Sequence, residues 1–299
     1  MDEVVTEQAA GQPRWRRIVD FPLVALVIAI GLYACALTLG IIIGKQFIAM
    51  PQPGRVTVQA IIDIGLVLAV YKFGIVRLGE HPRDDLPARG AIRNLGLGLL
   101  AGFVIFSVVV GVADLVGVYR IVGRGDTSRL LLELVATAIL PGFMEELMFR
   151  GILFRWIEEF GGSWAALVVT SALFGLAHIF NPNATWFSSF AIAVEAGVLL
   201  GGAYMLSGSL WLPMGLHAAW NFTQGEIFDV PVSGIDEHGL VQAKLSGPAI
   251  LSGGPFGLEA SVIALVGASI AGVWLVWMAI KHDKIVAPWW VRRRRLPQA

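Results

Sequence analysis

Cysteine is nearly absent from this chain, charge is sparse, and neither sign of charge prevails. The single cysteine, Cys35, cannot close an intramolecular disulfide. Within its long apolar run it reads as a small buried hydrophobe, so redox chemistry is not indicated. Only 15% of the 299 residues are charged, and 22 basic residues balance 22 acidic ones. Without a net field to draw phosphates, nucleic acid is excluded as a partner. Internal repeats, low-complexity tracts and a soluble domain are lacking too. What fills the sequence instead is apolar: 56% of it is hydrophobic, above the roughly 45–50% of soluble globular domains.

Eight segments approach the roughly 20 apolar residues that a bilayer-crossing helix needs. They are 21–44, 56–76, 95–118, 129–158, 164–180, 187–206, 209–223 and 257–280. The expected fold is an all-α polytopic membrane protein of about eight transmembrane helices, a single domain over 21–280 between a short N-terminal segment, 1–20, and a basic tail, 281–299. Arg14, Arg16 and Arg17 precede the first run, which is longer than a signal-peptide core and shows no small-residue cleavage site, so it reads as a retained anchor. An even number of crossings puts both termini on one side. With that side cytoplasmic, inside segments hold fourteen Lys and Arg against six outside, which predicts cytoplasmic termini in a cell-membrane protein. The tail Trp289-Trp290-Val291-Arg292-Arg293-Arg294-Arg295 suits an interfacial anchor to anionic lipid. The longest connection, Gln224 to Phe256, is rich in Gly, Pro and Ser and suggests no chemistry of its own.

Ionisable groups inside a span are expensive and mark a functional site by default. Here they gather on neighbouring helices: Glu145, Glu146 and Arg150 in the fourth, His178 in the fifth, His217 with Asn221 in the seventh. Glu146 and Arg150 stand at i and i+4 with the acid first, the better orientation for pairing. Glu145 lies about 100° around the helix from Glu146, so two acids can take two roles. A turn at Gly161-Gly162 sets Glu145 and His178 level in an antiparallel hairpin, on the order of 20–25 Å from that turn. Phe174 and His178 share one helical face, and His217 and Asn221 another. Side by side, His217 and Asn221 offer the paired donors that an oxyanion hole requires. A carboxylate and a histidine converging on one water make a general base.

The motifs Glu145-Glu146-x-x-x-Arg150, Phe174-x-x-x-His178 and His217-x-x-x-Asn221 closely resemble those of the CPBP intramembrane proteases, which include the CAAX prenyl endopeptidases and the bacterial Abi-type proteins. The motifs cover 145–221, and the eight-span layout is similar to the family's fold over nearly all of the chain. The resemblance implies an intramembrane endopeptidase with an active-site cavity, acting on membrane-associated or lipidated peptides. It further implies that Glu145 and His178 activate water, that His217 and Asn221 hold the oxyanion, and that Glu146 and Arg150 are a supporting pair. No cofactor is expected.

Two other readings stand beside this one. Glu145, His178 and His217 make a plausible zinc trio with an open fourth position, although no His-Glu-x-x-His helix is present. A transporter or scaffold would need polar residues spread over two related halves, and no inverted repeat is found. Among the remaining polar residues, Glu195 lies mid-span and either lines the same cavity or bonds a neighbouring helix. Glu133 and Asp114, near span ends, suit solvated or snorkelling roles, and Trp156 and Trp164 suit interfacial anchoring. His81, His238 and His282 fall in loops and tails. Pro141-Gly142 predicts a kink that opens room beside the carboxylates.

Overall fold

The computed structural model describes residues 13–294. Six of its helices are long and apolar enough to cross a membrane, and the fourth of these, Leu130–Phe180, is two. Gly162 sits within it at φ 82° and ψ 168°, a conformation open to a residue without Cβ, and it folds the run back on itself. The helices are α1 (Pro22–Gly44), α2 (Gly54–Phe73), α3 (Ala91–Leu115), α4 (130–161), α5 (163–180), α6 (Trp186–Ser207), α7 (Trp211–Phe222) and α8 (Val262–Lys281). With 12 residues, α7 is too short to span by itself. The chain is thus an all-α, multi-pass membrane protein, and the expected count of eight spans holds only approximately because α7 is short.

Two boundaries move for local reasons. The third helix starts at Ala91 rather than 95, directly after Gly90 at φ 80°. The eighth starts at Val262 rather than 257, because Gly257 at φ 102° turns the chain and Ser261 then caps the helix by accepting from Ala264 N at 3.1 Å.

Both described ends meet at one end of the bundle. Phe21 packs edge-on against Trp289, with ring centroids 6.0 Å apart. Ser163 N donates to Val286 O at 3.0 Å beside the Gly162 break, and Arg293 pairs with Glu80 at 2.9 Å. Residues 1–12 of the N-terminal segment, and 295–299 of the tail with Arg295, lie outside the described residues. At the opposite end the long connection folds over the helices. Its strand β2 (Val241–Leu245) pairs antiparallel with β1 (Tyr119–Arg124), Tyr119 standing opposite Leu245.

The helices that carry the polar motifs are held at close quarters. On α3, a Cβ added to Gly98 or Gly102 would collide with the Leu212 or Leu216 carbonyl of α7, so backbone meets backbone there, as small-x-x-x-small pairs permit in membranes. In contrast to the lipid-exposed α1 and α2, α6 is mostly buried and forms the centre of the bundle.

Three expectations are corrected. Cys35 is exposed on α1, because a helix apolar all round gives no sign of which face turns inward. Trp156 is 1% exposed and packs under the Arg155 guanidinium, 4.5 Å from its ring centroid, so it is a core residue rather than an interfacial anchor. Glu133 is buried rather than solvated, with Arg129 at 3.6 Å and His238 of the long connection at 3.5 Å.

Candidate active site

Within α4, Arg150 Nη1 donates to Glu146 Oε1 at 2.9 Å, and neither side chain is exposed. The same oxygen meets His217 Nδ1 of α7 at 2.9 Å. Arg150 Nη2 continues to the Ala196 carbonyl of α6 at 3.2 Å, and its guanidinium lies over Phe174 of α5, 4.8 Å from the ring centroid. One buried ion pair therefore fastens four helices. A carboxylate left alone at this depth would cost several kcal/mol, which is why the pair comes as a unit.

Phe174 is the spacer between the two histidines, its ring centroid 4.7 Å from that of His178 and 6.1 Å from that of His217. His178 Nδ1 lies 2.7 Å from the Phe174 carbonyl one turn back. A carbonyl only accepts, so Nδ1 carries the proton and Nε2 is the basic nitrogen. His217 is fixed in the same way by Glu146, again leaving Nε2 as the working nitrogen.

Asn221 is placed by a proline. Pro141 has no N–H to give to the carbonyl four residues back, that of Thr137, and this carbonyl accepts Asn221 Nδ2 at 2.7 Å. The second N–H of the amide stays free for another acceptor. The surrounding helix is underwound into π turns at Leu134–Ile139 and Leu147–Phe154, a feature frequent at functional sites.

His178, His217 and Asn221 line one cavity of about 30 Å³, room for one or two waters. Two carboxyl groups share it: Glu195, weighed above as a possible lining residue, and Glu259, which sequence reasoning missed together with Ser233. The available signal was an acid at the start of an apolar span, just ahead of α8. Glu259 is anchored by Trp220 Nε1 at 3.3 Å and by Ser233 N and Oγ at 2.9 and 3.0 Å, so the long connection contributes to the cavity wall. Glu145 is not among the lining residues. It lies within electrostatic reach of His217, Arg150 and Tyr33 of α1, with Oε2 buried and unbonded. Among the described residues no group of three or more His, Cys, Asp or Glu side chains converges in a way that could hold a metal ion.

Beyond the cavity the long connection brings Glu226 and Glu237 towards Glu133. Thr137 Oγ1 donates to Glu226 Oε1 at 2.9 Å. Burial pushes Glu226 up to about 7 despite that bond, and pushes Glu237 up to about 8, with the neighbouring Glu226 and Glu133 adding to it.

No curated protein and no solved structure matches the chain. Residues 127–223 match the family model Rce1-like, described as Type II CAAX prenyl endopeptidase Rce1-like. That stretch is about a third of the chain, and it holds Glu145, Glu146, Arg150, His178, His217 and Asn221 together. Over that stretch the chain is similar to the Rce1-like family of CAAX prenyl endopeptidases.

Proposed function

We propose that the protein hydrolyses a peptide bond of a membrane-associated or lipidated peptide by direct attack of water, without a metal and without a covalent intermediate. The observation that carries this reading is the convergence of His178, His217 and Asn221 on one water-sized cavity between helices. His178 Nε2 takes a proton from the attacking water, and Glu145, which lies outside the cavity lining, supports the site through its charge, within electrostatic reach of His217 and Arg150. The carbonyl oxygen of the scissile bond becomes an oxyanion as water adds. Asn221 offers its free N–H there, and His217 offers Nε2–H when doubly protonated, with Glu146 as counter-charge at Nδ1. Collapse of the adduct expels the amine, which takes up the proton. Glu146 and Arg150 hold His217 and touch no substrate.

The catalytic domain is 21–280 with its core at 145–221, and no further cofactor enters this chemistry. The termini face the cytoplasm of a cell membrane, a reading supported by the fourteen-to-six bias of Lys and Arg. The partners are then the peptide substrate and the surrounding lipid.

The test is mass spectrometry of a mixed pool of lipidated and transmembrane peptides incubated with the protein in bilayers, with and without a chelator, beside Glu145→Gln. Cleavage that survives chelation and is lost in the variant is the expected result. Cleavage lost to the chelator and restored by zinc would replace this mechanism with a metal-dependent one.

A further inference from the structure

The cavity has more acid than the proposed reaction uses. Four carboxyl groups, Glu145, Glu146, Glu195 and Glu259, lie in or beside it, and Arg150 is the one guanidinium among them, already committed to Glu146 and the Ala196 carbonyl. Glu259 is satisfied by neutral donors. Glu195 is different: it sits mid-helix on α6, 1% exposed, it lines the cavity, its Oε2 is buried without a partner, and it makes no hydrogen bond or ion pair with any described residue. A lone carboxyl at the centre of a membrane bundle is retained at a cost of a few kcal/mol, and the partner that would offset this is a cation.

The rest of the lining says which cation. Ile192, Leu199 and Leu216 give an apolar wall suited to a chain of methylenes, and long cationic side chains bury their stems along such surfaces while the head finds its charge. The space of about 30 Å³, room for up to two waters, admits a head the size of one water molecule beside the attacking water. An ammonium has that size, whereas the planar guanidinium of arginine is larger and needs a fork of acceptors.

Building on the endopeptidase reading, we propose that Glu195 and Glu259 form a specificity pocket for a primary ammonium group of the substrate, a lysine side chain beside the scissile bond. A free N-terminal amine carries the same chemistry, and the test separates the two. Lysine is favoured because the apolar wall leads up to the carboxyls.

The experiment uses the full-length protein in bilayers and a set of membrane-inserted peptides that differ at residues flanking the cleaved bond, carrying lysine, acetyl-lysine or glutamine, each with a free or an acetylated N-terminus. The wild type is expected to cleave lysine peptides with kcat/KM about tenfold or more above their acetyl-lysine counterparts, the worth of one charge-assisted contact, whatever the N-terminus. In Glu195→Gln that ratio is expected to fall to about one, through loss on the lysine peptides. Glu195→Asp, which keeps the charge, is expected to retain part of it. Thermal unfolding of both variants establishes that they are folded.

Cleavage by the wild type that ignores lysine acetylation overturns the pocket and leaves the endopeptidase standing. Preference that follows the N-terminal amine instead overturns the lysine assignment. A folded Glu195→Gln that cleaves nothing makes Glu195 part of the hydrolytic machinery and overturns the pocket too. No cleavage of any peptide by the wild type overturns the endopeptidase reading and this inference with it.

Discussion

At the end of the bundle where the described chain ends meet, buried acids have basic partners. Asp85 is held by Arg83 at 2.7 Å and Arg155 at 3.9 Å, Glu158 by Arg83 at 3.7 Å, and Asp20 by Arg16 at 3.0 Å. Around the cavity the balance is reversed, with Glu146 paired and Glu145, Glu195 and Glu259 lacking a basic neighbour in bonding range. The first set is a fastening. Arg155 Nη1 donates to the Arg83 carbonyl at 2.8 Å, and Trp211 Nε1 to that of Pro87 at 2.9 Å, so the loop between α2 and α3 is tied to α4 and α7. The second set leaves charge uncompensated in the most expensive place for it. A polar cluster that exists to hold a fold closes on itself, whereas one that exists to receive something does not.

This contrast can be broken by mutation. The largest effect is expected for His178→Ala, which removes the basic nitrogen from the cavity. Peptide cleavage should fall by at least about 10³, while the unfolding temperature stays near that of the wild type because the side chain fastens no other helix. Unchanged turnover in that variant would remove the site from the mechanism.

Arg150→Ala is expected to cost roughly 3–5 kcal/mol of stability, since Glu146 is then buried and unpaired, and it should appear as lost folded yield in mild detergent. The matching change at the fastened end, Arg83→Ala, leaves Asp85 with Arg155 at 3.9 Å and Glu158 with the Ser163 hydroxyl at 2.6 Å, and removes a side chain that is 43% exposed. Its cost is expected at about 1 kcal/mol or less. Equal losses in the two variants would erase the distinction between the clusters.

Asn221→Ala removes one oxyanion donor and should lower kcat by about 10²–10³ with KM little changed. Pro141→Ala restores an N–H that competes for the Thr137 carbonyl, loosening Asn221. A fall in kcat of a few-fold to about tenfold is expected, the worth of one hydrogen bond of about 1 kcal/mol. A Pro141→Ala enzyme with full kcat would show that Asn221 needs no such anchor.

The smallest effect concerns the acids of the long connection. Glu226 and Glu237 ionise later in the folded protein than their ordinary value of 4.5, at about 7 and about 8, so the folded state binds more protons between those limits. Stability should be fullest below about pH 4.5 and decline as pH rises through about 8. Thermal unfolding followed against pH should show that slope, and Glu237→Gln should flatten it. A flat profile in the wild type would mean that this end of the connection is open to water.

Much of this was legible along the chain. Apolar length marked the helices, Gly161-Gly162 marked the turn between α4 and α5, and the i, i+4 spacing brought Glu146 to Arg150 and set His217 beside Asn221. Pro141 was visible as a breaker, but its consequence, a freed Thr137 carbonyl that orients Asn221, needs a partner from a helix about 80 residues away. Trp156 and Glu133 misled because nearness to a span end does not say whether another segment covers the residue. Glu259 and Ser233 belong to a connection whose composition carries no period, so nothing local pointed them at the cavity.

The sequence by itself determined a helical membrane protein, the sites of its breaks, and the polar residue types of its motifs, because apolar length and helical spacing act over a few turns of one segment. Only the tertiary structure decided which side chains share the cavity: that Glu146 rather than Glu145 bonds His217, that Glu195 and Glu259 border the cavity, and that Ser233 of the long connection lines it. Those choices depend on how closely one helix backbone can approach another. Close approach is set by small residues on facing helices and is invisible within either alone.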